Sequence, residues 1–582
     1  MSESSRPIPM PRRDPQGNDR LDSWKEIAAY LGREVRTVQL WEKNEGLPIH
    51  RHQHARQGSV YAFRKELDAW REARKNLPES AEPVAAPDPP PRSTNRGRIL
   101  WITGPLTAAL VIGGFFLWRT RNARPSGAAP TSVVVLPFVD FSPQKDQEYF
   151  SDGLTEEIID ALSRVPNLRV VARTSAFAFK GKPADIREIG HELNVDSVLE
   201  GSVRRSGNEL RITAQLNRVS DGTHLWSRTF DQTPRDIFTV QREIAQSIAD
   251  QLRAGQVPRR EPTTDFEAYN LYQEARYLFN QGTPESCQKA VDRYQKAIDR
   301  DPKFALAYAG LADAEAYLAE LMTIAPDTVM PRAREAAQKA VALDDNLAEG
   351  HTSLGIVKLD YELDREGAQR EFKRAMELNP GSGYLHHWYA HSLEAQGRLE
   401  EALREMRASL DLDPLAVIIH WDIANEYLMM HRNDESLRFL AKSLELFPNH
   451  PLLLYFQAWA YHAKGDIPAA HHSVESFRTA VAGDPPLPFY RIVYGIEAAW
   501  DGRDKDARNI LASLERDHNS VYVEPMLTAA LCSALKDRDC LHRWLRRAYD
   551  EHDTLFVYLP EMTGDIIPAG DPEVKKLIAK IH

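Results

Sequence analysis

The 582-residue chain is too long for one hydrophobic core, so three or more domains are expected. With 42% hydrophobic and 27% charged residues it is not broadly disordered. The net charge of −11 is unevenly spread: residues 1–75 hold fifteen Lys/Arg against eleven Asp/Glu, plus His50, His52 and His54, so only this segment has the basic balance that suits DNA.

In chain order, residues 1–20 are polar and read as a flexible tail, and residues 21–76 as a first compact unit. Ser23 is placed to N-cap a helix carrying Trp24, Ile27, Ala28 and Leu31, with Glu26 three residues on as a capping box. Gly32 makes a turn into a second helix, Val35 to Lys43, whose Val38 and Trp41 point inward. Pro48–His54 and Ser59–Phe63 flank Ala55-Arg56-Gln57-Gly58 as a β-wing, and Leu67 and Trp70 close the core from a last helix.

A Pro/Ala-rich linker at 77–98 favours extended chain. Ile99 to Trp118 is an uncharged apolar run between arginines, and about twenty residues at 1.5 Å each give roughly the 30 Å of a bilayer core. One transmembrane helix is therefore expected at 99–118, with a connector at 119–130. Flanking charge does not orient it, since Arg92, Arg96 and Arg98 face Arg119, Arg121 and Arg124.

From 131 to 255 short buried-strand runs alternate with helical periodicity, which predicts a mixed α/β domain. Ser132–Phe138 and Leu168–Ala172 read as strands, and Asp185 as the N-cap of a helix burying Ile186, Ile189 and Leu193. Ser197–Arg204 and Leu210–Arg218 read as a hairpin about Ser206-Gly207-Asn208, and Ile237, Val240, Ile244 and Ile248 mark a closing helix. Asp152, Glu156 and Glu157 are read as carboxylates complementing a helix dipole.

Residues 265–560 carry a period of about 34 residues. Pro380, Pro414 and Pro448 keep that spacing, and one unit runs Leu354-Gly355, Ala368, Phe372, Ala375, Pro380. Small residues permit close helix crossing, aromatics fill the gap and proline ends the second helix, so seven or eight antiparallel helix pairs are expected. A longer connection is expected at Met322–Arg334, and 561–582 reads as a C-terminal tail. Cys287, Cys532 and Cys540 match no zinc spacing and give no disulfide framework, although Cys532 and Cys540 would pair if the fold joined them.

Three segments resemble known families. SWKEIAAYLGREVRTVQLWEKNEGLPIHRH…GSVYAF resembles the MerR/excisionase-type winged helix-turn-helix. That resemblance implies DNA contacts from Arg36, Thr37, Gln39 and Lys43 on the second helix and from Arg51, His52, Arg56 and Tyr61 on the wing. Leu40 stands where relatives often carry arginine. VVVLPFVDFS…EYFSDGLTEEIIDALSRVPNLRVVARTSAFAFKG, with the segment that follows it, resembles the TolB-like amino-terminal domain, which implies binding or assembly. The 34-residue units resemble tetratricopeptide repeats, which implies a protein or peptide partner in their groove.

The fold class expected is thus multidomain, α plus α/β: winged helix-turn-helix, one transmembrane helix, TolB-like domain and α-solenoid. The layout resembles ToxR-like regulators, which implies a membrane-anchored transcription factor binding double-stranded DNA as a homodimer. It would sit in the bacterial inner membrane, N-terminus cytoplasmic and C-terminal domains periplasmic. The alternative is a tetratricopeptide scaffold that assembles protein complexes at the membrane with little sequence-specific DNA binding. No GxxxxGKS/T, HExxH, GxSxG or kinase signature occurs, so the chain reads as no enzyme, with no catalytic residue and no cofactor. No metal site is expected either, because alternating His50, His52 and His54 lack a carboxylate or cysteine at useful spacing.

Overall fold

The computed structural model describes residues 20–21, 23–31, 33, 38, 42, 47–51, 60–75, 131–143, 148–206, 209–233, 237–258, 263–322, 324–482, 487–518, 520–563 and 566–581. They fall into two units, one within Met1–Trp118 and one within Arg119–His582.

In the first unit Ser23 Oγ accepts from the Glu26 amide at 3.3 Å, satisfying an orphan donor at the start of α1 (Trp24–Leu31). Strand β1 (Arg20–Leu21) and strand β2 (His50–Arg51) both pair antiparallel with β3 (Val60–Phe63), giving the order β1-β3-β2. The register sets His50 opposite Tyr61 and Leu21 opposite Ala62. Ile27, Ala28, Leu31, Leu47, Val60 and Ala62 make the core, and α2 (Arg64–Lys75) adds Leu67.

One expectation is corrected here. Among the described residues no helix is long and apolar enough to cross a membrane, and the run at 99–118 lies outside them. The transmembrane helix is therefore removed from the architecture, and the single-pass inner-membrane localisation with it.

The second unit begins with a six-stranded mixed sheet. Strand β4 (Thr131–Val135) lies between β6 (Leu168–Val170) and β7 (Ser197–Ser206), parallel to both, and β5 (Val139–Asp140) also runs parallel to β7. From β7 the sheet continues antiparallel through β8 (Glu209–Arg218) to β9 (His224–Gln232). Leu210, Ile212, Ala214 and Leu216 alternate inward, as a half-buried strand requires. The long helix α3 (Glu148–Ser163) buries Leu154, Ile158 and Leu162. Two short helices follow, α4 (Arg173–Phe177) and α5 (Ile186–Glu192), the latter capped by Asp185. Helix α6 (Ile237–Gln251) closes the domain with Ile237, Val240, Ile244 and Ile248 buried.

Eight helical hairpins follow among the described residues. They are α7 (Phe266–Phe279) with α8 (Pro284–Arg300), α9 (Ala305–Glu320) with α10 (Pro326–Leu343), α11 (Ala348–Asp360) with α12 (Arg365–Leu378), and α13 (Gly383–Glu394) with α14 (Leu399–Leu412). Then come α15 (Val417–Met429) with α16 (Asn433–Leu446), α17 (Pro451–Ala463) with α18 (Ile467–Ala480), α19 (Pro488–Trp500) with α20 (Asp504–Asp517), and α21 (Pro525–Ala534) with α22 (Arg538–Asp550).

Small-to-aromatic packing sets the crossings. A Cβ at Gly310 would lie 2.5 Å from the Tyr294 ring, and one at Gly355 would lie 2.7 Å from Phe372. Several second helices end where a residue before proline, such as Asn379 or Asp413, leaves the helical region. The longer connection expected at Met322–Arg334 is mostly helix, because Pro331 falls early in α10, where it removes a single backbone bond.

The residues expected to form a tail also carry structure. Asp571 caps α23 (Pro572–Ile578), which buries Val574 and Leu577. The chain after the last hairpin packs back toward early repeats: His552 meets Asp327 at 2.7 Å and the Tyr361 ring at 4.6 Å, and Tyr558, in a 3-10 turn at Phe556–Tyr558, meets the His391 ring at 6.1 Å. Cys532 and Cys540 form a disulfide within the last hairpin, and Cys287 is free and buried.

Candidate functional site

One side of α3 packs on the sheet and the other on the repeats. Glu156 is 2% exposed, with Arg173 and Arg276 on either side at 2.5 and 2.8 Å. Arg276, on α7, also meets Glu157 at 2.9 Å and Asp160 at 3.3 Å. Lys180 holds Asp152 at 2.6 Å, while burial pushes the Asp152 carboxyl above its ordinary range. These carboxylates lie beyond the first turn of α3 and are not dipole partners: Asp152 answers Lys180 within the α/β domain, while Glu156 and Glu157 answer Arg276 of the repeats.

The contact continues along the repeat turns. Arg164 reaches Glu349 at 2.6 Å, and Ser163 Oγ donates to Asn379 at 3.2 Å. Gly381 approaches so closely that a Cβ there would lie 2.3 Å from the Ser163 carbonyl. Arg169 pairs with Asp411 at 3.0 Å, and the Ala172 amide donates to the Leu412 carbonyl at 2.8 Å. Asp413 accepts from both the amide (2.9 Å) and the hydroxyl of Ser175, whose Oγ in turn accepts from the Leu415 amide at 2.8 Å. Burial raises the Asp413 carboxyl, and the Ser175 bonds oppose that rise. A cleft at this junction is lined by Glu157, Asp160, Arg164, Gln241, Tyr272 and Glu349.

The residues expected to touch DNA are mostly out of view. Arg36, Thr37, Gln39, Lys43, His52 and Arg56 lie outside the described residues, and Arg51 is described only as strand backbone pairing with Val60. Tyr61 is half-buried and stacks on His50 with ring centroids 5.2 Å apart. His50 does have a carboxylate partner, Glu66 at 2.7 Å, which the fold brings in from sixteen residues away. His54 lies outside the described residues.

Two groups of side chains among the described residues have the donor set for a metal: His387, His391 and Asp422, and His471, Glu497 and Asp501. The sequence reading passes over both. His387 and His391 carried a usable signal, since a four-residue spacing puts two imidazoles on one helix face.

No protein-family model matches the chain. Among curated relatives, the Rhizobium meliloti (strain 1021) protein named "Putative adenylate cyclase 3" is 39% identical over 240 residues, 40% of this chain and 41% of the relative. The Salmonella typhimurium transcriptional regulator HilA is 25% identical over 288 residues, 48% of this chain and 50% of HilA. The chain thus spans half or less of these relatives' length. Solved structures include YrrB, titled a TPR protein with an unusual peptide-binding site, at TM-score 0.26 and 19% identity, covering 33% of this chain and 93% of YrrB. A human IFIT1 dimer scores 0.37 at 14% identity, covering 54% of this chain and 77% of IFIT1. The similarity to a protein named as a cyclase overturns the expectation that the chain is no enzyme, which rested only on missing motifs.

Proposed function

We propose that this chain is a protein-assembly scaffold, in which helical repeats hold a folded α/β module along one face and take a further protein or peptide on the rest. The observation that carries this reading is the docking of α3 and its flanking loops through Arg276, Asn379, Gly381 and Asp413, residues of the repeat helices and turns. A surface that already binds a folded domain through buried polar contacts has the chemistry for protein recognition. The test is recovery of the tagged full-length chain and measurement of the mass of what accompanies it. A stoichiometric protein partner supports the scaffold; a chain that is always recovered alone counts against it.

A second reading, a DNA-binding regulator, is favoured by the similarity to HilA and by the basic balance of residues 1–75. In that reading the first unit binds double-stranded DNA as a homodimer through Arg36, Thr37, Gln39 and Lys43, with Arg51, His52, Arg56 and Tyr61 on the wing. A salt-sensitive mobility shift by the full-length chain, weakened by Arg36→Ala, is its expected signature, and no shift at low ionic strength removes it. The relative named as a cyclase adds an assay to the same preparation: conversion of ATP to cyclic AMP.

A further inference from the structure

Within the repeats, α13 and α15 bring three donor atoms to one point. His387 and His391 stand one turn apart on α13, with their Nε2 atoms 3.2 Å from each other. Asp422, from the next hairpin, places Oδ2 2.8 Å from His387 Nε2 and 3.7 Å from His391 Nε2. A tetrahedral ion bound at about 2.0–2.1 Å by three such donors sets them about 3.3 Å apart, and the observed distances bracket that value.

The surroundings fit an ion as well. Glu394 Oε2 lies 3.0 Å from His391 Nδ1, so an Nδ1–H donated to it leaves the Nε2 lone pair facing His387 and Asp422. That carboxylate–histidine pairing is the usual outer support of a metal-bound imidazole. Asn425 Nδ2 in turn donates to Glu394 at 3.5 Å.

A separate observation points the same way. Glu426 lies one turn beyond Asp422 on the same face of α15, is 0% exposed, and has no hydrogen-bond partner for either carboxylate oxygen. Among the described residues no lysine or arginine pairs with Asp422, Glu394 or Glu426. Of these residues, Asp422 and Glu394 have only the imidazoles of His387 and His391 as ionic partners, and a cation held by the same donors balances their charge in the imidazoles' place.

The second group lacks these properties. His471 turns Nδ1 to Glu497 and Nε2 to Asp501, so its two ring nitrogens face different carboxylates and one ion cannot take both. Arg478 and Arg503 already pair with those carboxylates.

We propose that His387, His391 and Asp422 bind a divalent transition-metal cation of the Zn2+ class, with Glu394 as the positioning residue behind His391. The site joins two successive hairpins. Its three protein donors leave a coordination position for water or for an oxygen of a ligand, as in zinc sites that do chemistry rather than brace a fold.

The test uses the chelator-stripped full-length chain titrated with Zn2+ alone in competition with a chromophoric chelator. One tight equivalent is expected, lost in His391→Gln and Asp422→Asn and kept in His471→Gln. Glu394→Gln should weaken it by about 10–100-fold. No zinc uptake by the folded wild-type chain overturns the proposal, as does uptake that His391→Gln and Asp422→Asn leave intact. Should those variants fold poorly, X-ray absorption of the zinc-loaded wild type decides. Two imidazoles with oxygen donors support the site, and a thiolate or imidazole-free shell overturns it.

Discussion

Arg276 is the residue on which the docking of the α/β domain turns. It is mostly buried and answers Glu156, Glu157 and Asp160 at once, so removing it takes away the cation they share and leaves Glu156 with Arg173 alone as its ionic partner. Arg276→Ala should cost about 3–5 kcal/mol, the range for breaking one partner out of a buried ion pair, read as a loss of unfolding free energy in denaturant titration. An unchanged midpoint would mean that water already screens these charges. The disulfide gives a second check at this scale. Lys536 and Arg538 lie between Cys532 and Cys540, so tryptic digestion without reductant should yield two peptides joined by one sulfur bridge. Free thiols at both positions would remove that crosslink.

Elements were legible in the sequence where their cause is local. The hairpin of β7 and β8 follows from the inward alternation of β8, and the helix pairs from small residues, aromatics and the proline after several of the second helices. Strand β1 escaped because two residues carry no periodicity, and the first half of α10 because it falls in the segment expected as a longer connection. What periodicity does not encode is which polar residues meet. Asp413 and Ser175 are 238 positions apart, and nothing near either one announces the other. Helix α9 supplies a pH-dependent test. Burial raises the Asp313 carboxyl to about 7, although Ser353 donates to it at 2.5 Å. The unfolded chain releases that proton near pH 4, so this group's contribution to stability is full below about pH 4 and lost as pH rises through about 7. Asp313→Asn should therefore gain stability relative to wild type as pH rises from about 4 to about 7 and keep that gain above it, followed by thermal melting. A constant difference across that range would show that Asp313 does not hold the proton.

At the scale of the whole molecule, single signals mislead. An apolar run became a membrane span, and missing motifs became the absence of enzymatic activity. Twenty apolar residues satisfy a length rule but do not reveal what they pack against. Motif absence is weaker still, because a group such as His387, His391 and Asp422 is assembled from two hairpins and only its four-residue histidine spacing shows in the sequence. The repeat architecture was readable for the opposite reason, since it recurs and each copy reinforces the same inference.

The return of residues 552–558 to Asp327, Tyr361 and His391 changes how the repeats lose their structure. An open array couples only nearest neighbours and frays from its ends, unfolding in overlapping steps. Joining the last hairpin to the second, third and fourth makes the array a ring in energetic terms, so an early hairpin cannot open without breaking contacts made by the last. Heating should give one sharp transition for the folded second unit. Ending the chain after Asp550 should broaden that transition or split it in calorimetry, and a truncated chain that melts as sharply as the intact one would mean the closure carries no cooperativity.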